Sequence, residues 1–278
     1  MRHLFLVCLG LLAAFAQGQG KLRELISAKP PEGCVERAWD VGGVKRTAIV
    51  RAPLTKGEAK PPVVFGWHGH YGTAARVAGS WDITNLWPEA VFVFPQGLPT
   101  ATVNDPSGKG NGWQTRQGGQ EDRDLKFFDV MLADVLKDFG ADAGRVYSLG
   151  HSNGGVFAYL LWKTRADKVA AIAPVAGVIT SRLKDDALSP MPVLHVAGRK
   201  DAIVKFAGQQ ASILAARKAN GCVDESKPWA QAGELKGEIW TSDKAPVVAV
   251  IHDGGHEFPK GASELIVRFF KERSVKAR

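Results

Sequence analysis

The pentapeptide Gly150-His151-Ser152-Asn153-Gly154, with what stands on either side of it, constrains this chain most. Before it, Arg145-Val146-Tyr147-Ser148-Leu149 is a short apolar alternation that reads as a buried strand. After it, Gly155-Val156-Phe157-Ala158-Tyr159-Leu160-Leu161-Trp162 has the apolar density of a buried helix. A strand entering G-x-S-x-G and leaving as a helix makes a sharp turn that lifts the serine hydroxyl above the sheet edge. Glycine at 150 and 154 suits such a turn, because a side chain there would collide with the neighbouring strand or helix. The pentapeptide alone is a common pattern, and its plain alternative is a serine capping a helix. The flanking strand and helix favour a nucleophile.

A serine hydroxyl is a poor nucleophile until a histidine takes its proton and a carboxylate orients that histidine. In sheets with this turn the chain order is Ser, then Asp or Glu, then His. Only His195, His252 and His256 follow Ser152. Met191-Pro192-Val193-Leu194-His195-Val196-Ala197-Gly198 reads as a strand, which puts Asp201 just beyond its carboxyl end, where open α/β sheets carry functional groups. Val247-Val248-Ala249-Val250-Ile251 is the last strongly apolar strand, and His256 lies in the loop past it, after the flexible pair Gly254-Gly255. His252 stands too near the strand end to reach as easily, and His195, inside a strand, reads as a hydrogen-bonded core residue. Ser152, Asp201 and His256 are therefore the expected triad.

The first sixteen residues are expected to be a cleaved secretory signal. Arg2 and His3 form a short basic region, residues 4–14 an apolar core too short to span a bilayer, and Ala14-Phe15-Ala16 an A-x-A cleavage site. Cys8 lies inside the apolar run, which argues against a lipid anchor. Residues 17–278 then form one domain, in a secreted, extracellular or periplasmic protein. In an oxidising compartment the two remaining cysteines, Cys34 and Cys222, invite a disulfide, the alternative being two buried thiols too far apart to pair. The formal charge is +8, or +7 without Arg2, but the basic residues are scattered apart from a solvated C-terminal tail, so no nucleic-acid partner is implied.

Residues 33–53 alternate as an antiparallel hairpin. Apolar runs of the parallel-strand type follow at 63–67, 90–94, 146–149, 169–175, 193–197 and 247–251. Helical spacing marks 125–139, 206–219 and 263–273. Alternating strand and helix after an antiparallel start predicts a mostly parallel, doubly wound α/β sheet. The loop after the first parallel strand, Gly66-Trp67-His68-Gly69-His70-Tyr71-Gly72, stands where such folds place half of an oxyanion hole, so the backbone N–H groups of His70 and Asn153 are the candidate donors. His68, His70, His252 and His256 could supply nitrogens to zinc, but they lie in glycine-rich loops without a helix-borne H-x-x-x-H pair, so neither metal nor cofactor is expected. The glycine-rich segment 98–122 is either a substrate-facing rim or a surface excursion. Trp67, Trp81, Trp87 and Trp113 either pack in the core or offer a face to an aromatic or sugar ring.

Several words of the sequence carry a resemblance: Asn111-Gly112-Trp113, Arg123-Asp124-Leu125-Lys126-Phe127-Phe128, Asp142-Ala143-Gly144-Arg145-Val146-Tyr147 running into Gly150-His151-Ser152-Asn153-Gly154-Gly155, Ala171-Ile172-Ala173-Pro174-Val175-Ala176-Gly177, and Gly255-His256-Glu257-Phe258-Pro259. From about Cys34 to the last helix, the chain resembles the secreted esterases of the polyhydroxybutyrate-depolymerase and feruloyl-esterase family. That resemblance implies an α/β-hydrolase fold with Ser152 as nucleophile, Asp201 as acid and His256 as base, and Cys222 in Asn220-Gly221-Cys222 is similar to a family cysteine. Two departures border the acyl site. Glu257-Phe258 stand where the family often carries Trp after its Gly-His pair, and His70-Tyr71 are bulky where it varies. Tyr71, Trp113 and Phe258 are the candidate substrate contacts.

The expected activity is that of a monomeric serine carboxylesterase acting on feruloyl or acetyl esters of plant polysaccharide, its partner a small ester or oligosaccharide ester. The alternatives are a polyester hydrolase and a non-catalytic carbohydrate-binding relative.

Overall fold

The computed structural model describes residues 32–56, 59–180 and 188–273. The expected signal segment lies outside them. A hairpin opens the fold, β1 (Cys34–Val41) pairing antiparallel with β2 (Val44–Arg51) across a turn in which Gly42 and Gly43 both take positive φ. The continuous apolar runs become β3 (Val63–Trp67), β4 (Val91–Pro95), β7 (Val146–His151), β8 (Ala171–Val175), β9 (Val193–Gly198) and β12 (Val247–His252). Almost every residue of these strands is buried, because helices cover both faces of the sheet. The short pair β5 (Leu98–Pro99) and β6 (Asn111–Gly112) stands apart, and β10 (Lys227–Ala232) and β11 (Leu235–Trp240) form a second hairpin.

The main sheet runs β1-β2-β4-β3-β7-β8-β9-β12-β11-β10, parallel from β4 to β12 and antiparallel at both ends. On one face α2 (Arg123–Phe139), α3 (Asn153–Thr164) and α4 (Phe206–Asn220) bury Phe128, Phe157 and Ile213 against it. On the other, α1 (Ala74–Ser80) and α5 (Ala262–Lys271) bury Val77, Phe269 and Phe270. This is the doubly wound α/β-hydrolase architecture with antiparallel N-terminal strands. The parallel strands all end on one rim, and Ser152, Asp201 and His256 follow the carboxyl ends of β7, β9 and β12. Among the described residues no helix is long and apolar enough to cross a membrane.

The expected disulfide is overturned. Cys34 and Cys222 are free thiols. Cys34 opens β1 at one edge of the sheet, whereas the Cys222 sulfur lies 3.7 Å from the carbonyl of Ala245, just before β12. With β1 first and β12 eighth in the strand order, the two are on the order of 30 Å apart, far beyond the span of about 7 Å between α-carbons that a disulfide bridges.

Candidate active site

Ser152 sits between β7 and α3 with φ 55° and ψ −118°, a conformation that a non-glycine residue adopts only where its surroundings enforce it. Packing enforces it here. A β-carbon at Gly150 would lie 2.1 Å from the carbonyl oxygen of Gly154, and one at Gly154 2.2 Å from that of Trp67. The turn is also pinned by the Ser152 N–H, which donates to the Val175 carbonyl at 2.8 Å. The Asn153 side chain reaches across to the 98–122 segment, accepting from Trp113 N–H at 2.7 Å and donating to the Trp113 carbonyl at 3.1 Å.

The three expected residues meet. Ser152 Oγ lies 2.8 Å from His256 Nε2, and His256 Nδ1 lies 2.8 Å from Asp201 Oδ2. Neutral imidazole has one donor and one acceptor nitrogen, so Nδ1–H donates to the carboxylate and Nε2 accepts the serine proton. The Asp201 side chain is fully buried. Its Oδ1 accepts from the N–H groups of Ile203 and Val204 at 2.9 and 2.8 Å, and Gln209 Nε2 donates to Oδ2 at 3.0 Å. Asn153, first residue of α3, has an N–H with no acceptor within its helix. His70 lines the same cleft as Ser152 and Asn153. In its loop the next two N–H groups are engaged, Tyr71 with Asn111 and Gly72 with Gly69.

The other histidines have separate duties. His68 is buried, donates from Nδ1 to the Gly69 carbonyl at 2.7 Å and accepts Gly97 N–H at Nε2 at 2.9 Å; burial lowers its pKa to about 4. It therefore stays neutral and fixes the loop that presents His70. The His70 ring meets Asp105 at 3.1 Å, and that carboxylate also accepts from Gly110 N–H and the Ser107 hydroxyl, both at 2.8 Å, which hold it well below the usual carboxylate range. His195 is fully buried and hydrogen-bonded, as its strand position predicted. His252 accepts Gly254 N–H at 3.1 Å, and burial lowers its pKa. Among the described residues no group of three or more His, Cys, Asp or Glu side chains is arranged to hold a metal ion.

Two clefts meet at His256. The larger, about 800 Å³, is lined by Ser152, Asn153, Val156, Val178, Ile203 and Val204, and the 98–122 segment closes one side with Val103 and Thr115. The smaller, about 460 Å³, is lined by Arg76, Ser80, Trp81, Glu257 and Phe258. Gly69, His70, Tyr71, His151 and His256 line both. Of the expected substrate contacts, Tyr71 lines both clefts and is 65 % exposed, and Phe258 borders the smaller cleft, stacked on Trp81 at 4.7 Å. Trp113 is corrected. It is wholly buried, with Nε1 donating to the His68 carbonyl at 2.8 Å and its ring packed on Trp67 and Phe157, so it supports the loop from beneath. Trp67 and Trp87 are core residues as well, and Trp81 is largely buried at the wall of the smaller cleft. Gln209 was missed, although it shares a helical face with Ile213 and Ala216, a polar residue where the spacing calls for an apolar one.

The two candidate bases separate by substitution. His256→Ala is expected to lower kcat/KM by about 10³-fold or more, whereas His252→Ala, which removes contacts to Gly254 and Glu257, retains most activity. Ester hydrolysis by the two purified variants checks this, and the opposite pattern would reassign the base.

No protein-family model matches the chain. Feruloyl esterase D of Neurospora crassa is 27 % identical over 259 residues, spanning 84 % of this chain and 85 % of that protein. Feruloyl esterase C of Emericella nidulans is 26 % identical over 240 residues, 81 % of this chain and 83 % of that one. Among solved structures, an acetyl xylan esterase from Aspergillus awamori superposes with a TM-score of 0.62 at 13 % identity, over 85 % of this chain and 99 % of its own.

Proposed function

We propose that this chain, a carboxylic-ester hydrolase of the feruloyl-esterase-like family, cleaves feruloyl or acetyl esters of plant polysaccharide through Ser152, His256 and Asp201. The observation that carries the reading is the pair of 2.8 Å contacts made by His256, one to the serine and one to the buried carboxylate. Ser152 Oγ attacks the ester carbonyl as His256 Nε2 takes its proton, and the tetrahedral oxyanion is received by the N–H groups of Asn153 and His70. Collapse transfers the proton from Nε2 to the leaving alcohol oxygen and leaves the acyl group on Ser152. Water then enters by the same path and releases the acid. Asp201 keeps Nδ1 protonated and offsets the charge of the imidazolium.

The clefts suggest how an ester lies. Ser152 and Asn153 line only the larger, aliphatic cleft, which suits the acyl group, since the attacked carbon must stand between nucleophile and oxyanion donors. The smaller cleft touches His256 and carries Arg76, Ser80 and Glu257, polar partners suited to a hydroxyl-rich leaving group beside the acid that protonates it. The test is a panel of methyl ferulate, nitrophenyl acetate and polyester film with the purified protein. Hydrolysis of the first two is expected, and inertness towards every ester would end the reading. A polyester hydrolase is the second reading, favoured by the exposed apolar rim of Tyr71, Val103 and Ile203, respectively 65 %, 96 % and 59 % exposed. Acid release from film without cleavage of methyl ferulate would select it. Secretion is part of the proposal, and a mature protein beginning at Gln17 would be its signature.

A further inference from the structure

We propose that Tyr159, His195 and Gln209 form a buried positioning chain that fixes Asp201, and through it His256, in the working orientation. The inference rests on Ser152, His256 and Asp201 acting as the triad. All three side chains are within 1 % of complete burial and come from different elements, Tyr159 from α3, His195 from β9 and Gln209 from α4. Polar groups so deep are costly unless each finds a partner. These find one another: Tyr159 hydroxyl to His195 Nδ1 at 2.7 Å, His195 Nε2 to Gln209 Oε1 at 3.4 Å, and Gln209 Nε2 to Asp201 Oδ2 at 3.0 Å.

Each proton in the chain has a determined direction. Gln209 Nε2 faces two acceptors, Asp201 Oδ2 and the Val204 carbonyl at 2.7 Å, so the amide nitrogen must lie on that side and Oε1 must face His195. The His195 nitrogen that meets Oε1 must then carry the proton. Nδ1 is left as an acceptor, and the Tyr159 O–H donates to it. The hydroxyl at the far end thereby selects the imidazole tautomer, the imidazole selects the amide orientation, and the amide presents N–H rather than C=O to the carboxylate. Burial keeps His195 neutral, with its pKa lowered to about 4, so the polarity does not reverse near neutral pH. Were the tautomer reversed, a lone pair on Nε2 would face Oε1, the amide would turn over, and its oxygen would repel Asp201.

The end of the chain lands on the oxygen that matters. Asp201 Oδ2 accepts from both Gln209 and His256, whereas Oδ1 is taken by the N–H groups of Ile203 and Val204. Gln209 thus shares the oxygen that stabilises the imidazolium, and it tempers how strongly that oxygen holds the proton on His256. His151 and His252 also feel the charge of Asp201, and burial lowers the pKa of both.

Two measurements test the chain. In the unaltered protein, ¹⁵N shifts of the His195 ring should report a neutral imidazole protonated at Nε2 throughout the range in which ordinary histidines titrate; a ring protonated at Nδ1, or a charged one, overturns the proposal. In Gln209→Leu, kcat for methyl ferulate should fall about tenfold with KM nearly constant. Its acid limb of kcat/KM should move to higher pH by about half a unit, because Oδ2 then serves His256 alone. Tyr159→Phe, which deletes one distant oxygen, should move kcat and the limb in the same directions by less, and it carries the test if Gln209→Leu does not fold. Variants that lose melting temperature while the acid limb and kcat stay put would make these residues packing alone, overturning the proposal. If Ser152→Ala remained active, the triad itself would be at fault rather than the chain behind it.

Discussion

Ser152→Ala is expected to remove ester hydrolysis by a factor of about 10⁴ or more while the protein folds as before. The substitution deletes one oxygen, whose hydrogen bond is with His256, and leaves the Ser152 N–H bond to Val175 and the clamp between Asn153 and Trp113 intact. Stability separates alanine from glycine at this site. Alanine keeps a β-carbon in the positive-φ conformation and so keeps its strain, whereas glycine relieves it. Ser152→Gly should therefore be as inactive as Ser152→Ala yet melt higher, the relief of about 1–3 kcal/mol exceeding the extra unfolded-state entropy of glycine, about 0.5–1 kcal/mol. Activity in correctly folded Ser152→Ala would remove the serine from the mechanism. A Ser152→Gly variant that melts below Ser152→Ala would mean that the turn is not strained.

The meeting of Ser152, Asp201 and His256 was legible in the sequence because the three residues obey a topological rule rather than a contact. Each follows the carboxyl end of a parallel strand, and strands buried on both faces are visible as continuous apolar runs. The 125–139 helix was legible for a similar reason, its apolar stripe spanning several turns. Elements without such a signature were not seen. α1 is only seven residues long, too few for a period, and only Thr73 at its cap, whose hydroxyl accepts Arg76 N–H, marks its start. β10 contains Pro228 and β11 contains Gly237, both poor strand formers, so the hairpin that extends the sheet was hidden although Gly233 at its turn takes positive φ. Trp113 and the cysteines failed for another reason. An aromatic ring in a glycine-rich loop reads as available, and two lone thiols read as partners, until the tertiary fold supplies the distances that decide. Local pattern says nothing about whether a loop folds back beneath the nucleophile, as the Asn153 clamp makes this one do.

Acid should unfold this protein early. Burial lowers the pKa values of His68, His151 and His195 to about 4, against 6.5 for an exposed imidazole. The unfolded chain therefore binds protons that the folded one refuses. The stability these neutral histidines contribute is complete above about pH 6.5 and is lost as pH falls through that value towards 4. Each contributes on the order of 3 kcal/mol across that interval, so together they approach the whole stability of an ordinary domain, about 5–15 kcal/mol. His252, lowered in the same direction, adds to the effect. The carboxylates held low, Asp105, Asp129 and Asp142, act with the same sign but only as pH approaches and passes below 3.8, so the two windows separate. Melting temperature should be flat above about pH 7 and fall steeply between about pH 6 and 4, with unfolding near pH 5 taking up close to three protons by calorimetry. An unchanged melting temperature from neutral pH down to about 4.5 would mean that these imidazoles are protonated within the fold. The neutral His68 and His195, on which the loop carrying His70 and the support behind Asp201 depend, would then be lost together.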